Sequence, residues 1–251
     1  MTVTNDEMDV SDSVARRLRR ELFSDEFVDR LVASAGERGV SRQAEFLENL
    51  DVIVSIAART GCVGFNALYG QRQPGMTTTE QDDLAVENLS LAIRRLATIG
   101  GTVLIEPLSR GLNGAHPIET ARDAATVITR VRENTGLSNI GLLFDTFHMT
   151  NNGEDLHGII GEYGEIIEHV QVADSPGRGE PGTGSIRFAE IFEHLGRAGY
   201  SKSIPCEYVP SVPTPASLGW IDGMPLVQLA PSVPGNVSDE RTPKALGRWV
   251  M

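Results

Sequence analysis

Four apolar, β-branched runs in this chain each carry an oxygen-bearing side chain at or near their carboxyl end. VLIEP (103–107) carries Glu106, LLFDTFH (142–148) carries Asp145, HVQVADSPGRGEPGTG (169–184) carries Gln171 and IPCEY (204–208) carries Glu207. Three carboxylates and one amide oxygen form a hard donor set, which suits Mg²⁺ or Mn²⁺. Carboxylates beside such a cation can also move protons, and Glu106 and Glu207 are among those that could do so. One point in space collects four such groups when they sit at the carboxyl ends of neighbouring parallel strands.

The elements between these runs have the alternation that this geometry needs. CVGFNAL (62–68), GTVLIEP, IGLLFD (140–145), HVQVAD (169–174) and SIPCEY (203–208) read as strands. Helices are expected at about 42–60, 79–99, 117–135, 154–162 and 187–199, from apolar spacing and Gly or Pro stops. Short apolar strands separated by helices predict a parallel sheet covered by helices. The fold class is therefore α/β, an incomplete (β/α) barrel of about five parallel strands, where a closed barrel has eight. A further helix is expected from about Ser11 to Ala35. The stretch from Val209 onward holds seven of the thirteen prolines and reads as loop, with short helices near 216–222 and 242–249. The chain divides into a helical segment (1–35), the partial barrel (36–222) and a Pro-rich tail (223–251).

The bulk properties narrow the partners. A net charge of −12 and a pI near 4.9 repel phosphate backbones and anionic lipid, which disfavours nucleic acid and membranes as partners. No apolar run reaches membrane-spanning length, and the N-terminus lacks the apolar core of a secretory signal, so a cytoplasmic location is expected. Cys62 and Cys206 read as buried reduced thiols. His116, His157, His169 and His194 read as structural or exposed, and Asn66 and Gly70 as residues that line the pocket.

FDTFHM, HVQVADSPGRGEPGTGSI, CEY and SLGW closely resemble the hydroxypyruvate isomerase family, part of the xylose isomerase-like, sugar-phosphate isomerase/epimerase group of TIM barrels. VLIEP, GCVGFNALYGQR and the stretch GERG to QAEF (36–46) extend the resemblance over roughly residues 35–222. It implies that the chain carries strands four to eight, with residues 1–35 standing where three strand–helix units would be. Such a chain is a truncated product, a gene with a misassigned start, or a form that closes its sheet with a partner, as in a homo-oligomer. The resemblance places metal ligands at Glu106, Asp145, Gln171 and Glu207, and makes the two glutamates the acid/base pair. It makes His148 a substrate-contacting residue and puts Arg178 and Glu180 in the loop that approaches the substrate.

The chemistry so implied interconverts hydroxypyruvate and 2-hydroxy-3-oxopropanoate (tartronate semialdehyde) by proton transfer through an enediol. Arg178 could hold the carboxylate of a hydroxy-oxo acid bidentately, and His148 could donate a hydrogen bond to a developing alkoxide. The same site would serve a 2-oxo-tetronate isomerase or a ketose 3-epimerase. A remnant that binds metal without turnover is the non-catalytic alternative. An endonuclease IV-like enzyme would need a His-rich zinc cluster and a basic face, which five histidines and −12 charge oppose.

Overall fold

The computed structural model describes residues 40–224, apart from residue 113 and the side chains of residues 40–45 and 223. The helices expected at 11–35 and 242–249 lie outside the described residues. Helix α1 (Val40–Thr60) leads to β1 (Gly64–Asn66), α2 (Thr78–Ala97), β2 (Thr102–Ile105), α3 (Ala121–Thr135) and β3 (Ile140–Asp145). Next come α4 (Thr146–Asn151), α5 (Leu156–Tyr163), β4 (Ile167–Gln171), α6 (Phe188–Arg197) and α7 (Thr214–Ser217). The four strands pair in parallel in the order β1-β2-β3-β4 and form a half-barrel flanked by helices.

Two helices start where polar side chains take over the orphan N–H groups. Thr77 and Glu80 make a capping box for α2, and Thr120 and Asp123 make one for α3. The second box explains why α3 begins at Ala121 and not near 117: Thr120, not Pro117, supplies the cap.

Alternation along the strands separates two faces. Val103 and Ile105 of β2, Ile140, Leu142 and Phe144 of β3, and Val170 and Val172 join one core with Ile93, Ile128, Ile160, Ile191 and Leu195 from the helices. Leu104, Glu106, Leu143 and Asp145 have the opposite parity and face the concave side.

The fifth expected strand is reduced to one parallel bridge, Val172 to Cys206. The Val172 amide donates to Pro205 O at 3.1 Å and the Glu207 amide to Val172 O at 3.0 Å. Pro205 has no amide hydrogen to give, which limits this segment to an edge position with a broken ladder. The thiol expectation also changes. Both cysteines are free, but Cys62 is exposed and Cys206 is half-buried. Cys62 lies just before β1, whose only strand partner among the described residues is β2.

Candidate active site

Strand parity brings the four oxygen-bearing residues to one face. Asn66 pairs with Leu104 and Asp145 with Gln171. Glu106 follows β2 with the parity of Leu104. Glu207 is one residue past Cys206, whose side chain packs against the helix-side core, so Glu207 points to the concave side. Gln171 needs an extra device. Ile167 is opposite Leu142, but His169 is opposite Leu143, so β4 holds one extra residue at Glu168. This β-bulge resets the alternation. Without it, Gln171 would face the helices along with Ile167.

Glu106 is buried and accepts a 2.5 Å hydrogen bond at Oε2 from Asn66 Nδ2. Burial, with the charges of Asp145 and Glu207 added, pushes its carboxyl up to about 8. Asp145 is fully buried and caps α4, its Oδ1 accepting the His148 amide at 2.8 Å. Burial also raises its pKa, and the Glu207 charge adds to this. Asp145 Oδ2 and Gln171 Oε1 are buried acceptors without a hydrogen-bond partner. Orphaned oxygens on paired residues, beside carboxylates that resist ionisation, are what a cation would satisfy.

Oxygens of Glu106 and Asp145 and a ring nitrogen of His148 also lie within 4.8 Å of one another, a buried group that could hold a metal ion. The contacts of His148 bear on its part in such a site. Its Nδ1 accepts the Ser109 backbone N–H at 3.0 Å, with Ser109 Oγ 2.7 Å away. An amide donor on Nδ1 requires a lone pair there, so a neutral ring carries its proton on Nε2. Burial, reinforced by Arg178 and His116, lowers the imidazole to about 4 and keeps it neutral. The Nε2–H group is 3.8 Å from Glu106 Oε1 and is a donor, not a metal-binding lone pair.

Arg178 and Glu207 form an ion pair, Nη2 to Oε1, at 3.1 Å. The guanidinium also lies 5.2 Å from the centre of the Phe147 ring. The loop that carries Arg178 is built around Asp174. The Asp174 carboxylate is fully buried and accepts backbone amides of Ser175 (2.9 Å), Gly182 (2.8 Å) and Ile186 (3.0 Å). Gly184 passes so close that a Cβ there would strike the Ser175 carbonyl and the Asp174 carboxylate. Glu180 belongs to the same scaffold. Its oxygens accept the Ser211 hydroxyl at 2.5 Å and the Ser211 amide at 3.1 Å, which ties the loop to the chain after the fifth segment.

The structure thus groups Glu106, Asp145, Gln171, Glu207, His148 and Arg178, while the contacts of Glu180 are with Ser211. Asn66 was legible only as a pocket residue, not as the partner of Glu106. Ser109 carried no signal, because its chief contribution is a backbone amide. Of the other histidines, His116 is buried with Nδ1 3.0 Å from Ile118 O, and His157 and His194 face each other through Nδ1 atoms 3.1 Å apart.

A profile of the family described as "Xylose isomerase-like TIM barrel" matches residues 10–225. The chain belongs to this family. A putative hydroxypyruvate isomerase of Streptomyces coelicolor is 42% identical over 177 residues, covering 70% of this chain and 63% of that protein. The hydroxypyruvate isomerase of Escherichia coli is 31% identical over 194 residues, covering 75% of this chain and 73% of the relative. Among solved structures, AP endonuclease, family 2, from Brucella melitensis superposes with a TM-score of 0.68 at 30% identity, over 75% of this chain and 73% of that one. The chain therefore spans under two thirds of the Streptomyces relative and about three quarters of the other two. Among the described residues, no helix is long and apolar enough to cross a membrane.

Proposed function

We propose that this chain carries the site of an isomerase that interconverts hydroxypyruvate and 2-hydroxy-3-oxopropanoate. One observation carries the reading. Glu106, Asp145, Gln171 and Glu207 share the concave face, and two of their buried oxygens lack any protein partner. Those four residues would hold Mg²⁺ or Mn²⁺, which would polarise the substrate's carbonyl and neighbouring hydroxyl oxygens. His148 stays outside this ligand set as a neutral donor.

The chain's own groups account for the proton movements. Arg178 offers a planar fork to the substrate carboxylate and orients the molecule. One of Glu106 and Glu207 takes a proton from the hydroxymethyl carbon, leaving an enediolate charged on the former carbonyl oxygen, and the hydroxyl proton passes to that oxygen so that the hydroxymethyl carbon becomes the aldehyde. The same glutamate or its partner returns a proton to the adjacent carbon. His148 Nε2–H donates a hydrogen bond to the oxygen on which negative charge develops. Asn66 keeps Glu106 oriented, and Ser109 keeps the His148 proton on Nε2. The partner is a small hydroxy-oxo acid, and the −12 charge opposes a nucleic-acid substrate.

Proton exchange followed by NMR in deuterated buffer tests the reading. Hydroxypyruvate should exchange its hydroxymethyl protons and form the aldehyde isomer with Mn²⁺ or Mg²⁺ present, and stop with a chelator. Faster exchange on a 2-oxo-tetronate or a ketose would reassign the substrate. Tight metal binding with no exchange on any of them would identify a non-catalytic remnant.

A further inference from the structure

Arg178 is a basic side chain set against the anionic cluster. It contacts Glu207 directly, Nη2 to Oε1 at 3.1 Å. Its backbone is in the left-handed region at φ 57°, where a side chain other than glycine is uncommon. Its surroundings hold it there. The Val209 amide donates to Arg178 O at 2.8 Å, the guanidinium sits over Phe147, and Nε approaches Glu207 O at 3.4 Å. The Arg178–Glu207 pair is nevertheless weak, since the two side chains are 30% and 44% exposed.

We propose that Arg178 and a divalent cation draw on the same Glu207 carboxylate, so that an anionic substrate, by taking Arg178, frees Glu207 and tightens metal binding. The inference rests on the isomerase reading above. Two cations sharing one carboxylate repel each other. A substrate carboxylate matches the guanidinium fork with two oxygens and relieves that repulsion. Linkage makes the effect reciprocal, so the metal also favours the acid. A neutral ketose has no carboxylate and gains nothing from Arg178. The device therefore selects hydroxy-oxo acids over neutral sugars, on a site whose metal ligands could serve both.

Mn²⁺ affinity, read by electron paramagnetic resonance of the free ion on the full chain, tests this without any turnover. Arg178→Met should bind Mn²⁺ roughly fivefold more tightly than wild type, the value of one partly exposed ion pair. Arg178→Lys should stay near wild type. Saturating propanoate, which cannot chelate through a second oxygen-bearing group, should tighten Mn²⁺ binding to wild type and leave Arg178→Met unchanged. Equal or weaker Mn²⁺ binding by a folded Arg178→Met would overturn the inference. If that variant does not fold, a wild-type affinity indifferent to propanoate would overturn it equally. A wild-type chain that binds no Mn²⁺ would instead remove the metal reading, and this inference with it.

Discussion

Glu106→Gln will lower kcat about a thousandfold, with KM for hydroxypyruvate changed far less. The amide keeps the size of the side chain and one oxygen donor, and can still meet the residue beside it. It cannot take or return a proton, and general acid–base catalysis contributes on the order of 10²–10⁴-fold. The direction of its unusual titration supports the choice of residue. A carboxyl buried among Asp145 and Glu207 and pushed up to about 8 holds a proton that an ordinary glutamate would lose. Such a group is poised for proton exchange near neutrality once a cation shares the negative charge. Glu207→Gln should lose a similar factor if both glutamates carry protons. Steady-state kinetics with metal at saturation, and Mn²⁺ affinity measured on the same samples, separate loss of chemistry from loss of metal. A kcat within about tenfold of wild type would remove Glu106 from the proton path.

Phe144→Ala will cost about 3–5 kcal/mol of stability, the range for truncating a large buried aromatic side chain. Phe144 is fully buried in β3, on the face that meets the helices. Its neighbour Asp145 projects to the other face and caps α4. The cavity would therefore open directly behind the site and loosen the strand that aims Asp145. For a domain of this size the loss corresponds to a fall of roughly 10 °C in Tm. Thermal unfolding followed by circular dichroism measures it. A shift of under about 1 kcal/mol would mean that the sheet and helices do not share the core described here.

Much of this site was legible in the residues themselves. β3 is continuous, apolar and ends on Asp145, and the structure reproduces its expected span, Ile140–Asp145. Glu106 was legible because VLI precedes it and Pro107 follows. The neighbourhood of Gln171 was legible only in part. HVQVAD reads as a strand from 169, whereas β4 spans Ile167–Gln171. The residue inserted at Glu168 that turns Gln171 inward depends on how two strands pair, and no single-strand pattern encodes that. SIPCEY has the composition of a strand, but Pro205 at a sheet edge leaves one bridge. The tautomer of His148 depends on the Ser109 amide, 39 residues away in the chain. Glu180 has the charge of a substrate contact, and only the fold reveals that Ser211 takes both its oxygens. Residue type and strand-end position pick out the four oxygen-bearing side chains. Long-range pairing decides which way each one faces.

Anomalous scattering from a crystal of the full chain soaked in Mn²⁺ will locate the cation among these side chains. One peak is expected on the concave face, about 2.0–2.4 Å from oxygens of Glu106, Asp145, Gln171 and Glu207, with His148 Nε2 outside the coordination shell. A peak ligated by His148 Nε2, or one that leaves Gln171 and Glu207 uncoordinated, would contradict it.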